Sequence, residues 1–431
     1  MKCISGKNIN GWILTKILAI LTTVSIAGFS GAGLSTAQAF EPPRSENTVR
    51  PVLAETEMLE QVGAKILAVN KDTGVAYAQL SSDQEMQLSR LNHAKGRCAG
   101  FEALSTSFLE PASFVASHVF GQLSEQAARN ARFHPSTLNF DSVQRKPEIQ
   151  AAIDQVSATN LRATVEFLSA FPNRYNRDNQ PNVAIEALRG KIEAILKTTS
   201  IPYKIDFISH NSTQQNSLRV HLDGAKRPSE ILVFGAHADS INQSWGSTEA
   251  PGADDNASGS SNLVEALRIL VKQPRLERSV EFFWYAGEES GLLGSAEIAK
   301  DYKDRNVDVI TVVQLDMTLH PGDGELNLGS MTDFTSAWFR SYFETINSVY
   351  IKAKIMDDQC GYGCSDHASW FRQGYATLMP FESSFDNMNH KLHTADDVIN
   401  SDSSFEHSAI FSRIVLAIAM DLGNSTLRAT P

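Results

Sequence analysis

The stretch Val280-Glu281-Phe282-Phe283-Trp284-Tyr285-Ala286-Gly287-Glu288-Glu289 sets a run of strand-forming residues, apolar except for Glu281, directly before two adjacent acids. Two further runs follow the same plan: residues 231–235 lead into His237 and Asp239, and residues 309–315 into Asp316. Short apolar runs of this kind, rich in β-branched and aromatic residues, read as buried strands. Between the first two, Leu263, Val264, Ala266, Leu267, Leu270 and Val271 recur at helical spacing and stop before Pro274. Strand, helix and strand in alternation predict an α/β fold with a mixed, mostly parallel central sheet and helices on both faces. In open sheets of this type ligands bind beyond the carboxyl ends of the strands, so the acids and the histidine are expected to converge on one crevice.

The alternating pattern begins near Pro147, with amphipathic helices predicted over residues 149–171 and 183–198. Upstream, residues 64–70 and 75–80 read as a hairpin across Lys71-Asp72-Thr73-Gly74, and Ser81-Ser82-Asp83 as the cap of a helix running to about Asn92. Residues 93–145 carry mixed helix and loop signals and no nameable chemistry, and residues 40–52 read as a flexible leader. The first 39 residues have the form of a secretory signal: Lys2, Lys7 and Lys16, an apolar stretch over 17–29, and Ala37-Gln38-Ala39 as a cleavage site. That stretch falls short of the roughly 20 apolar residues that span a bilayer. The expected organisation is a signal peptide over 1–39, a small α+β pro-region over 40–145 and a catalytic domain over 146–431, with no further domain behind it.

Of the 431 residues, 42% are hydrophobic and 20% charged, ordinary for a globular protein with a sizeable core. The net charge of −11 disfavours nucleic acid as a partner, since a phosphate backbone calls for a basic surface. Peptide or small-molecule substrates fit better, no membrane association is expected after signal removal, and a monomer is expected.

A lone acid after a strand is ordinarily a helix cap or a solvated turn residue; three strand ends together point to a site. His237-Ala238-Asp239 places two side chains on one side of an extended segment, where Asp239 can hydrogen-bond the far nitrogen of a metal-bound imidazole. Alone, such a histidine reads equally well as a satisfied core residue. Gly252-Ala253-Asp254-Asp255-Asn256-Ala257-Ser258-Gly259 sets acids in a small-residue turn before a helix, where a carboxylate can bridge two cations or cap the helix. Adjacent acids such as Glu288 and Glu289 repel unless cations are near. They suit a division of labour, one ligating metal and the other taking a proton from the attacking water. His393 supplies a second imidazole.

Taken together, these residues resemble the bacterial secreted leucyl aminopeptidases, which carry a co-catalytic pair of zinc ions. The likeness covers about residues 147–423. It rests on Gly235-Ala236-His237-Ala238-Asp239-Ser240, the turn over 251–259, Ala286-Gly287-Glu288-Glu289-Ser290-Gly291-Leu292 and Gln314-Leu315-Asp316-Met317-Thr318, together with Cys360-Gly361-Tyr362-Gly363-Cys364-Ser365-Asp366-His367-Ala368-Ser369-Trp370 and Met379-Pro380-Phe381-Glu382-Ser383. The resemblance implies two zinc ions per chain, with Asp255 bridging, His237 and Asp316 completing one site, and Glu289 and His393 the other. It makes Glu288 the general base, with Asp239 behind it, and implies removal of single large apolar residues from peptides with a free amino terminus. Three protein ligands per ion, with a position left for water, is how catalytic zinc is held.

The resemblance further implies a Cys360–Cys364 disulfide; a thiolate zinc site is the alternative, though no nearby cysteine completes it. Export removes Cys3 and leaves Cys98 over. Met317, Met331, Tyr362, Met379, Phe381, Phe385 and Leu392 fall where the family lines its side-chain pocket, and core packing accounts for any one of them as well. Met388 stands where close relatives carry an aromatic residue, and Asn256 where some carry an acid. Rival readings are a single-zinc glutaminyl cyclase or carboxypeptidase-like hydrolase of related fold, and a non-catalytic receptor-type module. Retention of all five ligands and Glu288 favours the peptidase.

Overall fold

The computed structural model describes residues 49–71, 74–95, 100–104, 143–243 and 249–425. The chain first forms an antiparallel sheet from β1 (Arg50–Glu55), β2 (Lys65–Val69), β3 (Val75–Leu80) and β4 (Phe101–Ala103), in the order β2-β3-β1-β4. The expected hairpin is β2 and β3. The helix after it, Ser82–His93, opens with a capping box in which Ser81 accepts from the Gln84 amide and the Gln84 side chain accepts from Ser81. The expected leader is corrected at its end, because residues 50–52 belong to an interior strand. β1 is covered on both faces, Val52 and Ala54 packing in one cluster and Leu53 with Tyr77 in another. It therefore shows no polar alternation, and Pro51 weakens the strand signal further. The signal peptide, the rest of the leader, Cys98 and most of residues 93–145 lie outside the described residues.

The main sheet has β5 (Tyr203–Ile208), β6 (Ser217–Leu222), β7 (Arg227–His237), β8 (Arg278–Tyr285) and β9 (Asp308–Gln314). A second sheet adds β10 (Asn327–Met331), β11 (Lys354–Asp358) and β13 (Pro380–Phe381), in the order β11-β10-β13, while β12 (Thr377–Leu378) joins the main one. The main order is β12-β9-β7-β8-β6-β5; the first four strands run parallel, and β6 and β5 close the edge antiparallel. The expected mixed, mostly parallel sheet is thus observed. The continuous helix expected over 149–171 is instead two, Pro147–Ile153 and Ala158–Ser169. The break is local capping: the Ser157 side chain accepts from the Asn160 amide and starts the second helix.

β8 shows why the sheet is buried on both sides. Val280, Phe282 and Trp284 join the core built with the Ala257–Leu270 and Phe405–Gly423 helices. Phe283 and Tyr285 point the other way, against Ile298, Ala299 and Tyr302 of the Leu293–Asp304 helix and against Trp370. Glu281, the one acid in the strand, accepts from the Tyr302 hydroxyl at 2.6 Å and pairs with His221 Nδ1 at 2.8 Å. Register then aligns the strand ends: His237 lies opposite Tyr285, and Gly235 opposite Gln314. The loops that follow β7, β8 and β9 leave the sheet at one level.

The small sheet rests on the loop after β8. Ala103 N–H donates to the Gly291 carbonyl at 3.3 Å, Glu102 pairs with Arg372, and Arg177 reaches Glu85 at 3.3 Å. No helix among the described residues is long and apolar enough to cross a membrane.

Trp284 is fully buried and its indole N–H donates to the Ser260 carbonyl, joining β8 to the helix behind it. Trp284→Ala is expected to lower unfolding free energy by about 3–5 kcal/mol, as large aromatic deletions in packed cores do. Urea denaturation measures it; a loss below about 1 kcal/mol would show that the site collapses around the deletion.

Candidate metal centre

The three loops gather the residues singled out in the sequence. His237 ends β7; Asp255 sits in the turn before the Ala257–Leu270 helix; Glu288 and Glu289 form one short turn after β8; Asp316 follows β9. His393 comes from the long loop between β13 and the last helix. The Glu288–Ser290 turn is flanked by Gly287 at φ 64° and Gly291 at φ 102°, left-handed conformations that glycine adopts without a Cβ clash. That pair of reversals lets the chain fold back over the strand end.

Asp255 is central. Its Oδ1 lies 3.0 Å from His237 Nε2 and its Oδ2 2.8 Å from His393 Nε2. His237 Nε2 is also 3.2 Å from Asp316 Oδ1, and His393 Nε2 is 3.1 Å from Glu289 Oε2. Two groups share Asp255, His237–Asp255–Asp316 and Asp255–Glu289–His393, each with ligand atoms within 4.8 Å of one another, and His237–Glu288–Glu289 forms a third by the same measure. The five residues of the two groups that share Asp255 are all buried. Two imidazoles and three carboxylates in a buried cluster form a donor set suited to zinc.

Asp239 and Glu288 lie beside the two groups that share Asp255. The Asp239 carboxylate sits 3.5 Å from His237 Nδ1 and accepts the backbone N–H groups of Glu288 at 3.1 Å and Glu289 at 3.3 Å. The carboxylate therefore holds the Glu288–Glu289 turn in place, while His237 Nδ1 hydrogen-bonds the Asp239 backbone carbonyl at 3.2 Å. Both Glu288 carboxylate oxygens are buried and take no hydrogen bond among the described residues. Burial pushes the Glu288 pKa well up; His237 opposes this, while Glu289 and Asp316 add to it.

The profile of Peptidase family M28 matches residues 218–418. A leucine aminopeptidase 1 from Trichophyton equinum is 34% identical over 295 residues, spanning 65% of this chain and 78% of that protein. The chain belongs to peptidase family M28. A probable leucine aminopeptidase from Arthroderma benhamiae is 32% identical over 291 residues, 66% of this chain and 79% of its own length. Among solved structures, the Legionella pneumophila LapA aminopeptidase superposes with a TM-score of 0.74 at 25% identity, covering 88% of this chain and all of that one. The Legionella LapB structure shares the fold, with a TM-score of 0.74 at 21% identity. As an M28 member the chain is a zinc-dependent peptidase.

Beside the metal cluster lies an apolar one. Met317, Met331, Met379, Phe381 and Leu392 are buried together with Met388, Cys360 and Cys364, and Tyr362 and Phe385 pack against them. All seven residues expected to line a pocket fall in this one cluster. Cys360 and Cys364 are disulfide-bonded, four residues apart, which ties the Tyr362 loop back on itself.

Sequence reasoning missed the residues that hold the candidate ligands in place. Ser365 donates to Asp316 Oδ2 at 2.5 Å, and Gln314 Nε2 reaches Ser365 and Asp366 at 3.1 and 3.0 Å. Asp397 accepts the backbone N–H groups of Asp254 and Asp255 at 3.1 and 3.0 Å. Asp254 in turn accepts those of Thr318 and Leu319. Arg174 binds four backbone carbonyls behind the centre. A polar residue pairing with a distant backbone group leaves no periodic signal; only the acids at 396 and 397, soon after His393, hint at a role.

Protons compete for the same atoms. Burial lifts the Glu289 pKa to about 7, against the pull of His393. Burial works against a charged His393, but Glu289 and Asp255 outweigh it and raise its pKa to about 10. Below these values both groups are protonated, and zinc ligates only the carboxylate and the neutral imidazole. Zinc affinity is therefore expected to fall as pH drops through about 7, and binding at neutral pH to release protons. Calorimetric titration in buffers of differing ionisation enthalpy reads the release directly; a proton count of zero would contradict this charge assignment.

Proposed function

We propose that the chain is a secreted two-zinc aminopeptidase that removes single large apolar residues, leucine-like ones first, from peptides with a free amino terminus. The carrying observation is that two ligand triplets share Asp255 while Glu288, adjacent to both, keeps its carboxylate out of every hydrogen bond among the described residues. His237, Asp255 and Asp316 hold one ion; Asp255, Glu289 and His393 hold the other. Bound zinc supplies Lewis acidity toward the scissile carbonyl and makes water a nucleophile at neutral pH. Glu288 takes the proton from the attacking water and passes it to the leaving amine; its raised pKa makes it a stronger proton acceptor than an exposed carboxylate. Asp239 keeps the base and His237 in register. The apolar cluster around Met331 and Phe381 receives the side chain that is removed. The names of the fungal relatives support that preference.

Residues 1–39 are proposed to direct export and be removed, in keeping with the Cys360–Cys364 disulfide, since such bonds persist in oxidising compartments. The enzyme then acts as a monomer in the periplasm or outside the cell.

Glu288→Gln keeps shape and removes basicity. It is expected to lower turnover of leucine p-nitroanilide by about 10² to 10⁴ while both zinc ions stay bound. Glu289→Gln is expected instead to weaken one metal site. Metal analysis and kinetics on the same mature samples decide the assignment; the reverse pattern would exchange the two roles.

Residues 40–145 are proposed to form a pro-region that keeps the enzyme latent until cut between about residues 130 and 150. The seating of Ala103 and Phe101 against Gly291, next to the Glu288–Glu289 turn, supports this. Trimmed enzyme is expected to turn over a short peptide faster than the intact exported chain; equal rates would remove the latency proposal.

A further inference from the structure

Arg174 lies between the Ala158–Ser169 and Val183–Leu196 helices, in Asn173-Arg174-Tyr175-Asn176-Arg177, and is almost fully buried. A buried guanidinium needs its donors matched. Nε donates to the Ala238 carbonyl at 3.0 Å, Nη1 to Leu168 at 3.2 Å and Pro251 at 2.5 Å, and Nη2 to Gly252 at 2.9 Å. The backbone continues the pattern. Its own N–H donates to Ser240 Oγ at 3.1 Å, whose hydroxyl donates to the Ala250 carbonyl at 2.7 Å. Its carbonyl accepts from Gln215 Nε2 at 2.9 Å, and the Gln215 side-chain oxygen accepts the Gly287 N–H at 3.1 Å.

These bonds touch the segment that carries His237 and Asp239, the turn that carries Asp255, and the turn that carries Glu288 and Glu289. We propose that Arg174 is a positioning residue for the metal centre, its planar fork locking the loop after β7 to the Asp255 turn and so presetting the distance between the ligands they carry. The guanidinium stays charged at neutral pH: burial draws its pKa down to about 10, with Asp397, Asp255, Asp239 and Glu289 opposing. Charge alone does not explain the site, since every hydrogen bond from the guanidinium goes to a backbone carbonyl, in a geometry that an ammonium cannot reproduce.

The inference rests on the two-zinc reading, and the experiment separates them. Zinc affinity of the wild type, Arg174→Lys and Arg174→Gln is measured by competition with a chromophoric chelator, alongside far-UV circular dichroism and the urea midpoint of the metal-free proteins. Both variants are expected to hold at least one zinc about 10- to 100-fold more weakly, the range for residues that orient metal ligands. A fall in kcat with KM little changed is expected to accompany this. Wild-type affinity in both variants overturns the proposal, even if the urea midpoint falls, because the role is then structural only. Full rescue by Arg174→Lys with loss in Arg174→Gln also overturns it, in favour of charge. If Arg174 variants do not fold, Ser240→Ala, which removes one link of the same lock, is expected to weaken zinc in the same direction by a smaller factor. Unchanged affinity there overturns the proposal. Failure of the wild type to bind zinc would instead bring down the two-zinc reading itself.

Discussion

The Asp255 carboxylate faces an imidazole on each side, His237 at 3.0 Å and His393 at 2.8 Å, and the surrounding loops are arranged to keep it there. Burial alone would raise its pKa, yet His393 and His237 bring it well below the usual carboxylate range. A charged group so deep needs both compensation and fixed position, because an unmatched buried ion costs several kcal/mol. Position comes from the backbone. The Asp254 and Asp255 amides are held by Asp397, and Asp254 holds the amides of Thr318 and Leu319, just past Asp316. The Asp255 turn is thereby bound to the loop that carries Asp316.

The same constraint explains the tight packing beneath. The helix that begins at Ala257 approaches β9 so closely that a Cβ on Gly259 would meet the Leu315 carbonyl oxygen at 2.4 Å. Asn256 caps this helix through the Gly259 amide and donates from its side-chain nitrogen to that carbonyl. An amide serves here where a carboxylate would not, since one end accepts and the other donates. Asn256 thereby satisfies three backbone groups, since its side-chain oxygen also accepts from the Met317 amide at 3.4 Å.

The sheet was legible because its chemistry is periodic. Runs such as 280–286 are apolar on both faces, and helices such as Ala257–Leu270 carry a clear 3.6-residue pattern. The candidate ligands His237, Asp255, Glu289 and Asp316 were legible through motifs, since each lies at a strand end or in a turn of small residues, whereas His393 sits on the long loop before the last helix. What escaped was non-periodic. β1 is covered on both faces and contains Pro51; the helix break near Ser157 depends on one hydroxyl; Arg174, Asp397 and Ser365 act through partners far along the chain. Hydrogen bonds between residues distant in sequence require the fold before they can be seen.

Two glutamates on the same segment show how function separates from packing. Glu281 and Glu288 are the same residue type, both buried, one within β8 and one just beyond it. Glu281 meets the Tyr302 hydroxyl and His221, with Arg219 3.8 Å away, so its oxygens are matched by donors from neighbouring elements. Such an acid contributes to structure. Glu288 meets no donor among the described residues, and its neighbours Glu289 and Asp316 further disfavour its charge. A fold selected only for stability would replace an unmatched buried carboxylate with an apolar residue of similar size, since the desolvation cost has no return in hydrogen bonding. The proposed role of Glu288 as general base would account for such a carboxylate, set on a turn held by Asp239 beside the candidate ligand groups.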